Sequence, residues 1–429
     1  EDVISISRFF VWIKNNIEEE MKESSAKILS FLIVFTPFLE PYKLFGVTLD
    51  TACLFASIIF ALVACKGSNA IWYGSKPFFI YAFTIPNIVA ILYGYTSHIM
   101  SSFIVLTMYL LVLIKVFPNI SFVYIKKYYK VLVILVCVVF ITQELMYLML
   151  GYRFSALLPF LDIRYDGLSM ASFIQGQMSY PRSSSFFLEP SHMAHFLLPY
   201  LALSLGENIR GLSLKKYIEP IIITIILFFL QSGNGLVGAF AIWVFFVLSV
   251  DISKTKKVLF IAASALLGYF VITKLMDTEI GASLFNRVSE IDAEGDYERS
   301  GTIRIFRGFY VFSGMDPILQ FLGVGTGGSV DVIDNSKYLV MFFDNERYLN
   351  NIQMLLIGFG IIGTILFSGH IIRLYRKNTL PGKLVLAAFI AICFLESFFM
   401  TSKMILFMTI AFLSKLEYDK KYLNKPSAI

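Results

Sequence analysis

The segment from Ser183 to Leu198 places an acid, a proline and two histidines where an otherwise apolar helix begins. Its sequence is SSSFFLEPSHMAHFLL, directly after Arg182. Proline suits the first turn of a helix, because its missing N–H costs nothing there, so Glu189 lies next to the positive end of the helix dipole. A carboxylate at this position can act as a general base or accept a substrate hydroxyl. Alternatively, it caps the helix and pairs with Arg182 for folding.

Glu189, His192 and His195 follow one another at intervals of three residues, which raises the question of a metal site. Zinc sites favour tighter ligand sets, and the sequence offers no fourth ligand here. We therefore expect no metal and no cofactor. His192 is expected to join the site as a hydrogen-bond donor, and His195 to be a satisfied interior histidine.

A second group of candidate residues lies in the basic segment Ser300–Tyr310, SGTIRIFRGFY. In a helix, Arg304 and Arg307 would share a face one turn apart. Paired guanidinium groups match phosphate oxygens bidentately and stay charged at any relevant pH, so the pair is a candidate phosphate site, with Arg287 as a weaker member. The alternative is an amphipathic helix that lies on lipid with its arginines toward the headgroups.

Two further stretches are rich in glycine or in polar residues. Gly323–Gly328, GVGTGG, can offer a nest of backbone N–H groups to an anion or serve as a flexible turn. The segment 344–351, DNERYLNN, contains Glu346 and Tyr348 and leads into an apolar run. Its polar groups can line a sugar site or anchor the chain at the membrane interface.

The composition indicates that membrane helices carry these residues. Of 429 residues, 57% are hydrophobic and 15% charged, and the mean hydropathy is +0.73, whereas soluble globular chains average about 45–50% apolar and about 25% charged residues. The cysteines lie in or beside apolar runs, which argues against a disulfide framework or a thiolate metal site. The net charge of +6 does not indicate nucleic-acid binding, because basic residues in such proteins mark cytoplasmic loops.

Apolar runs of the length that crosses a bilayer recur along the chain. We predict about twelve transmembrane helices, at approximately 28–46, 49–64, 78–96, 99–117, 131–150, 191–206, 217–232, 234–250, 257–274, 348–370, 382–398 and 402–416. The sequence QSGNG between the seventh and eighth is either a tight hairpin or a break in one long element. Lysines and arginines gather at the even-numbered ends, so the positive-inside rule predicts that both termini are cytoplasmic.

Two long segments, about 151–190 and about 275–347, then fall on the outer, periplasmic side. Loops longer than about 12–15 residues are usually functional or disordered. These two contain Tyr, Phe and Gly, a poor match to disorder. We expect both to handle something outside the membrane, as parts of a single integral membrane domain that comprises residues 1–429.

These motifs, in this order, resemble the O-antigen polymerase (Wzy) and O-antigen ligase superfamily of bacterial envelopes. The matching pieces are Arg182 with FLEP at 187–190, SGNG at 232–235, Arg304, GVGTG at 323–327, and a polar segment before GFGIIG at 358–363. Ligases usually carry a histidine in that polar segment, and this chain has none between His195 and His370. The difference favours the polymerase, with Glu346 or an asparagine in the place of the histidine.

The resemblance implies an all-α, polytopic, GT-C-like fold in the bacterial inner membrane, with the active site facing the periplasm. It implies an inverting, metal-independent glycosyltransferase that joins undecaprenyl-diphosphate-linked repeat units into O-antigen or a related surface polysaccharide. The leaving group is undecaprenyl diphosphate. Arg182, Arg304 and Arg307 would stabilise its growing charge, with Arg287 as a fourth candidate, and Glu189 would accept or orient the attacking hydroxyl.

The expected partners are the lipid-linked glycan substrates, membrane lipid and a chain-length regulator protein. Two rival functions stay open. One is the O-antigen ligase, which would transfer the glycan to lipid A-core. The other is a transporter that flips lipid-linked oligosaccharide, although such proteins often carry inverted repeats and midplane charges, and this sequence shows no repeat.

Overall fold

The computed structural model is mostly helical, at 77%. It describes residues 2–65, 72–158, 160–163, 182–207, 214–250, 253–255, 257–258, 300–339 and 349–422, with the backbone alone for 2–19, 214, 300–304 and 422. The main helices are α1 (Asp2–Leu39), α2 (Leu49–Ala64), α3 (Lys76–Leu92), α4 (Ile99–Leu111), α5 (Phe122–Leu150), α6 (Pro190–Gly206), α7 (Leu214–Phe229), α8 (Gly233–Ser249), α9 (Ser300–Ser313), α10 (Pro317–Leu322), α11 (Gly325–Asp334), α12 (Asn351–Tyr375), α13 (Leu380–Cys393) and α14 (Ser402–Tyr422).

Several of these helices have the length and composition of membrane spans. Among the described residues, three segments are long and apolar enough to cross a bilayer: Ile99–Asn119, Phe122–Leu150 and Asn351–Tyr375. Helices α2, α3, α8 and α13 are apolar but shorter. Large aliphatic side chains such as Leu148 and Met149 lie exposed on α5, as expected of a surface that faces lipid. The chain is therefore a mostly helical membrane protein.

Each predicted span that the structure describes contains a helix, but the first ends early. Helix α1 stops at Leu39, and the chain then forms a hairpin of β1 (Tyr42–Leu44) and β2 (Val47–Thr48). The two turn residues have positive φ, as two-residue hairpins require. Strand β3 (Asp162–Ile163) pairs with β1, which adds a small antiparallel sheet of order β2-β1-β3 to the helical fold.

The sequence QSGNG forms a tight hairpin, the first of its two predicted alternatives. Helix α7 ends at Phe229 and α8 begins at Gly233, with Gln231 in the left-handed region at φ 51° between them. Trp243 Nε1 donates to Thr224 Oγ1 at 2.9 Å, which joins the two helices side by side. The predicted span 257–274 lies almost wholly outside the described residues.

The segment 275–347, predicted as the second outer loop, is helical in the part that the structure describes. Helices α9, α10 and α11 all pack against α12. At Gly360, α12 kinks with φ 65°, and a Cβ added there would lie 2.3 Å from the carbonyl oxygen of Phe321. The backbone N–H groups of Gly323 and Val324 donate to carbonyl oxygens of the helices, at 2.8 and 3.2 Å. The glycine-rich stretch 323–328 therefore provides close packing in this fold, and its role as an anion nest stays a prediction.

Helix α6, which carries the opening motif, is buried over nearly its whole length. It packs against α8, α13 and α14, and its all-round apolar sequence is typical of a helix surrounded by others. Residues near its N-terminus meet residues near the C-termini of α1 and α13 and the N-termini of α8 and α14. We call this end of the bundle the polar end. Residues near the C-terminus of α6 lie beside the first turns of α5 and α7, which we call the lysine end.

Candidate functional site at the polar end

Glu189 stands at the entrance to α6, as its sequence context predicts. Its backbone is extended, at φ −135° and ψ 152°, and Pro190 occupies the first helical position. The Glu189 side chain is exposed, makes no side-chain cap bond, and accepts a hydrogen bond from Ser191 Oγ at 3.2 Å. The capping alternative is therefore wrong for this side chain. Its carboxylate is accessible to a substrate hydroxyl, whereas its role as a base stays a prediction.

The residues before Glu189 form a tightly held turn. Ser183, Ser184 and Ser185 are buried, and Ser185 has a left-handed backbone with φ 54°. Gln143, inside the apolar helix α5, accepts from the Ser185 backbone N–H at 2.8 Å and donates to Phe154 O at 2.9 Å. A glutamine within a membrane span thus fixes the path of the chain between half-buried Arg182 and Glu189.

The next segment of the entrance packs on the small sheet. Leu188 forms a buried apolar cluster with Tyr42 and Leu157. The phenol oxygen of Tyr42 accepts from the backbone N–H of Leu158 at 2.9 Å. Burial raises the pKa of Tyr42, and the bond from Leu158 opposes that shift. The sheet therefore packs against the residues before Glu189, and its strand β3 belongs to the segment predicted as the first outer loop.

Three ionisable side chains, Glu40, His192 and Lys403, meet in the interior, and we call them the buried charge cluster. Lys403 Nζ lies 3.0 Å from Glu40 Oε1, and the two side chains are only 5% and 4% exposed. His192 Nδ1 lies 3.8 Å from the other carboxylate oxygen, Glu40 Oε2. Glu40 follows α1, His192 lies in the first turn of α6 and Lys403 in the first turn of α14. The cluster therefore joins three helix ends.

The burial of this cluster is what makes it a functional candidate. Moving a carboxylate and an ammonium out of water carries a penalty that their mutual attraction often fails to offset, so a buried ion pair is weak evidence of a stability role. Ionisable groups at membrane level most often mark a ligand or substrate path. His192, predicted as a hydrogen-bond donor of the site, belongs to the cluster, but its Nδ1 makes no hydrogen bond to Glu40 at 3.8 Å.

His195 occupies the interior one turn further along α6. It is fully buried and stacks on Phe398, with ring centroids 5.0 Å apart. Among the described residues, neither ring nitrogen has a hydrogen-bond partner. The predicted interior location of His195 is confirmed. The prediction that its ring nitrogens are hydrogen-bonded is wrong among the described residues. Stacking on Phe398 holds the ring instead.

The asparagines at the start of α12 connect two turns of the polar end. Asn350 and Gln353 form a reciprocal capping box, and Asn350 Nδ2 donates to Phe394 O at 2.9 Å. Asn351 Oδ1 accepts from the backbone N–H of Phe398 at 2.8 Å. All three polar residues are fully buried. They hold α12 against the turn after α13, while both interpretations of the segment 344–351, a sugar site and an interfacial anchor, stay predictions.

Arg307 is buried within the protein, at 5% exposed. Its helix α9 packs on α12, where Gln353 Nε2 donates to Ile305 O at 2.8 Å. Gly308 allows this approach, because a Cβ there would lie 2.5 Å from Gln353. The alternative in which Arg307 points to lipid headgroups is therefore wrong. The segment is helical, and Ile305 and Gly308 of this helix lie against Gln353 at the start of α12.

A second buried acid, Glu396, lies at the polar end. Glu396, in the turn after α13, accepts a hydrogen bond at Oε2 from Asn234 Nδ2, and both side chains are buried. Its backbone oxygen accepts from Asn351 N–H at 3.1 Å. The asparagine of the SGNG motif thus contacts a carboxylate in the interior, while Ser232 caps α8 through Gly235 N–H.

Four predicted site residues fall wholly or partly outside the description. Arg287, Glu346 and Tyr348 lie outside the described residues, and for Arg304 the backbone alone is given, within α9. Among the described residues, no group of three or more His, Cys, Asp or Glu side chains could hold a metal ion. The candidate site that the described side chains form has three parts. They are the entrance to α6 from Arg182 to Glu189, the buried charge cluster, and the buried residues Glu396 and Arg307.

Sequence reasoning missed Glu40, Lys403 and Glu396. Each falls inside a predicted span, where a single charge among apolar residues barely lowers the mean hydropathy. The useful signal is an isolated acid or lysine within a span, on the side that is poor in basic residues. No known protein family and no curated protein matches this chain, so the resemblance drawn from its motifs stays a prediction.

Proposed function

We propose that this protein is a multi-pass glycosyltransferase of the O-antigen polymerase type. In this proposal the chain has about twelve spans and a GT-C-like architecture, lies in the bacterial inner membrane with both termini in the cytoplasm, and presents the polar end to the periplasm. It lengthens a surface polysaccharide from undecaprenyl-diphosphate-linked repeat units.

The observation that supports the proposal most is the position of the buried charge cluster directly behind an accessible acid. Glu189 is exposed, and His192, one turn later on α6, lies 3.8 Å from Glu40. An accessible carboxylate can take a proton from a sugar hydroxyl, and fixed interior charges can orient the groups around it without reorganisation. A protein that only anchors itself in lipid needs neither arrangement.

In the proposed reaction, the hydroxyl of the incoming lipid-linked unit attacks the anomeric carbon of the growing chain. Glu189 takes the hydroxyl proton as the new carbon–oxygen bond forms. The bond between the anomeric carbon and the diphosphate oxygen breaks, and its electron pair leaves with undecaprenyl diphosphate. Arg182, Arg304 and Arg307 stabilise that charge, with Arg287 as a fourth candidate. Diphosphate is a good leaving group, so catalysis consists of positioning and charge stabilisation.

The test is a reconstitution of the purified full chain in vesicles with lipid-linked repeat units. The proposal predicts a ladder of longer glycans, with release of undecaprenyl diphosphate. Movement of the lipid-linked unit across the bilayer without lengthening would overturn the proposal in favour of a flippase. Transfer to added lipid A-core without a ladder would overturn it in favour of a ligase.

A matched pair of variants assigns the activity to the entrance. Glu189→Gln removes the proposed base, whereas Glu144→Gln removes another acid of the same neighbourhood, one residue after Gln143 on α5 and 3.3 Å from Arg153. The proposal predicts that only the Glu189 variant stops chain growth. Equal loss in both variants would indicate a general charge effect and contradict the role of Glu189.

A further inference from the structure

A cationic cavity lies at the lysine end, away from the site described above. Its volume is about 230 Å³, and it opens between the C-terminal part of α6 and the first turns of α5 and α7. Its charged lining consists of Lys126, Lys130, Lys215, Lys216, Glu207 and Glu219. The polymerase proposal gives this cavity no role.

The lysines of the cavity outnumber its acids by four to two, so the lining carries a net charge of +2. Within the lining, Lys126 Nζ lies 2.6 Å from Glu207 Oε1, and Lys130 Nζ lies 3.3 Å from Glu219 Oε2. These four side chains are between 35% and 55% exposed. The cavity is therefore a solvated positive site rather than a neutralised interior.

Helix dipoles increase the positive potential of the cavity. Lys215 and Lys216 are the second and third residues of α7, and Lys126 is the fifth of α5. The N-terminus of a helix carries about half a positive charge, so a lysine in the first turn is unfavourable there, whereas an anion is stabilised. An anion in the cavity would offset both the lysine charges and the helix ends.

The lysines also lie at the level where an apolar surface begins. Lys130 directly precedes the apolar run 131–150 of α5, and Lys216 precedes the apolar part of α7. Helix α6 has 17 residues, which at 1.5 Å per residue separates the two ends by about 25 Å. This is close to the thickness of a bilayer hydrocarbon core, about 30 Å. The cavity is thus at headgroup depth.

We infer that this cavity binds the phosphate of an anionic phospholipid headgroup. The lysines supply the charge, and the N-terminal ends of α5 and α7 add to the positive potential around it. Basic pockets between helices at a membrane surface are suited to such headgroups. The acyl chains of the same lipid would lie along the exposed apolar face of α7, where Ile218 and Ile222 are exposed. This adjacent apolar face favours a lipid over a free phosphate ion.

The inference is tested by lipid retention, which requires no enzymatic activity. The purified chain is equilibrated with vesicles of phosphatidylglycerol and phosphatidylcholine in equal amounts, and co-purifying lipid is measured by mass spectrometry. The wild type should retain phosphatidylglycerol preferentially. In Lys215→Gln/Lys216→Gln the affinity for that lipid should fall by up to about 30-fold, since each lysine near the surface contributes about a factor of five.

The control variant Lys420→Gln/Lys421→Gln removes the same charge from the last turn of α14, outside the cavity. It should retain the lipid within about twofold of the wild type, since neither lysine lines the cavity and salt screens charges at the surface. An equal loss in both variants would overturn a specific site in favour of a diffuse charge effect. Unchanged retention in the Lys215 and Lys216 variant would also overturn it.

Two further measurements separate headgroup binding from a folding role of the lysines and from the binding of free phosphate. Without anionic lipid, the double variant should be at least as stable to heat as the wild type, because lysines in a first helical turn oppose the dipole. A marked loss of stability there would show that these lysines serve folding. Calorimetry with inorganic phosphate distinguishes the two sources of phosphate: lysine-dependent binding as tight as that of the lipid would overturn the lipid assignment.

Discussion

Glutamate–lysine pairs occur at both ends of α6, and their surroundings differ sharply. At the polar end, Glu40 and Lys403 are 4% and 5% exposed. At the lysine end, Lys130 and Glu219 are 55% and 41% exposed, at a similar distance of 3.3 Å. The chemistry of the pairs is the same, and only burial separates them. The comparison teaches that distance alone says little about what an ion pair does, because solvent screens one pair and not the other.

Removal of one partner from the buried pair should have the largest effect on stability. Lys403→Ala leaves the Glu40 carboxylate in the interior without its ammonium, and the free energy of unfolding should fall by about 3–5 kcal/mol. Thermal unfolding of the purified protein in detergent measures the loss. The matched surface variant Lys130→Ala should change far less, and similar losses in both would contradict the role assigned to burial.

A double variant sharpens this prediction. Glu40→Gln/Lys403→Met removes both charges and keeps similar side-chain volumes, so no buried ion is left without a partner. Replacement of a buried pair by neutral groups is often neutral or stabilising, and the double variant should recover most of the stability that Lys403→Ala loses. If its chain growth stays at the wild-type level, the cluster serves folding alone and orients nothing at the site.

Substitution of Glu189 should lower activity without lowering stability. Glu189 is exposed, so Glu189→Gln should change the free energy of unfolding by less than about 0.5 kcal/mol. Loss of a general base should lower the rate of chain growth by about 10²–10⁴-fold. Single-turnover lengthening of lipid-linked units measures the rate, and wild-type activity in this variant would remove Glu189 from the mechanism.

The sequence predicts the entrance because local rules determine it. Proline at the first position of α6 and an acid before it define a helix start. The glycines and asparagine around Ser232 indicate a break in the helix, but only the structure shows that this break is a tight hairpin. The helix start is a property of neighbouring residues, so its prediction does not depend on the rest of the fold.

Such local rules could not predict the buried charge cluster. Glu40 and Lys403 lie near opposite ends of the chain, and only the packing of α1 and α14 against α6 brings them to 3.0 Å. Hydropathy places both inside predicted spans and does not single them out. Likewise, the sequence of α9 leaves two interpretations for Arg307, and its burial excludes only the one in which it faces lipid headgroups. Long-range packing, not local propensity, determined each of these positions.

At the lysine end, substitution of Tyr200 also tests the difference in burial between the two ends, with a smaller expected loss of stability. Its hydroxyl donates to Glu219 Oε1 at 2.6 Å, but this carboxylate is half-exposed and can be hydrated when the bond is lost. Tyr200→Phe should therefore lower the free energy of unfolding by only about 1 kcal/mol. Tyr128→Phe is the control, since Tyr128 packs through its ring on Phe31 and Tyr124. A loss in Tyr200→Phe as large as that in Lys403→Ala would show that this end is sealed from water.

The smallest effect is expected for the exposed pair itself. A double-mutant cycle of Lys130→Ala and Glu219→Ala should give a coupling of about 0.2–1 kcal/mol, because water screens both groups and their side chains are ordered at an entropic cost. The coupling should decrease further at about 1 M salt, where the Debye length is about 3 Å. The corresponding cycle at Glu40 and Lys403 should keep its magnitude in salt, since solvent ions do not reach a pair that is about 5% exposed. A salt-insensitive coupling at the lysine end would mean that the two ends share one environment, and the contrast between them would then fail.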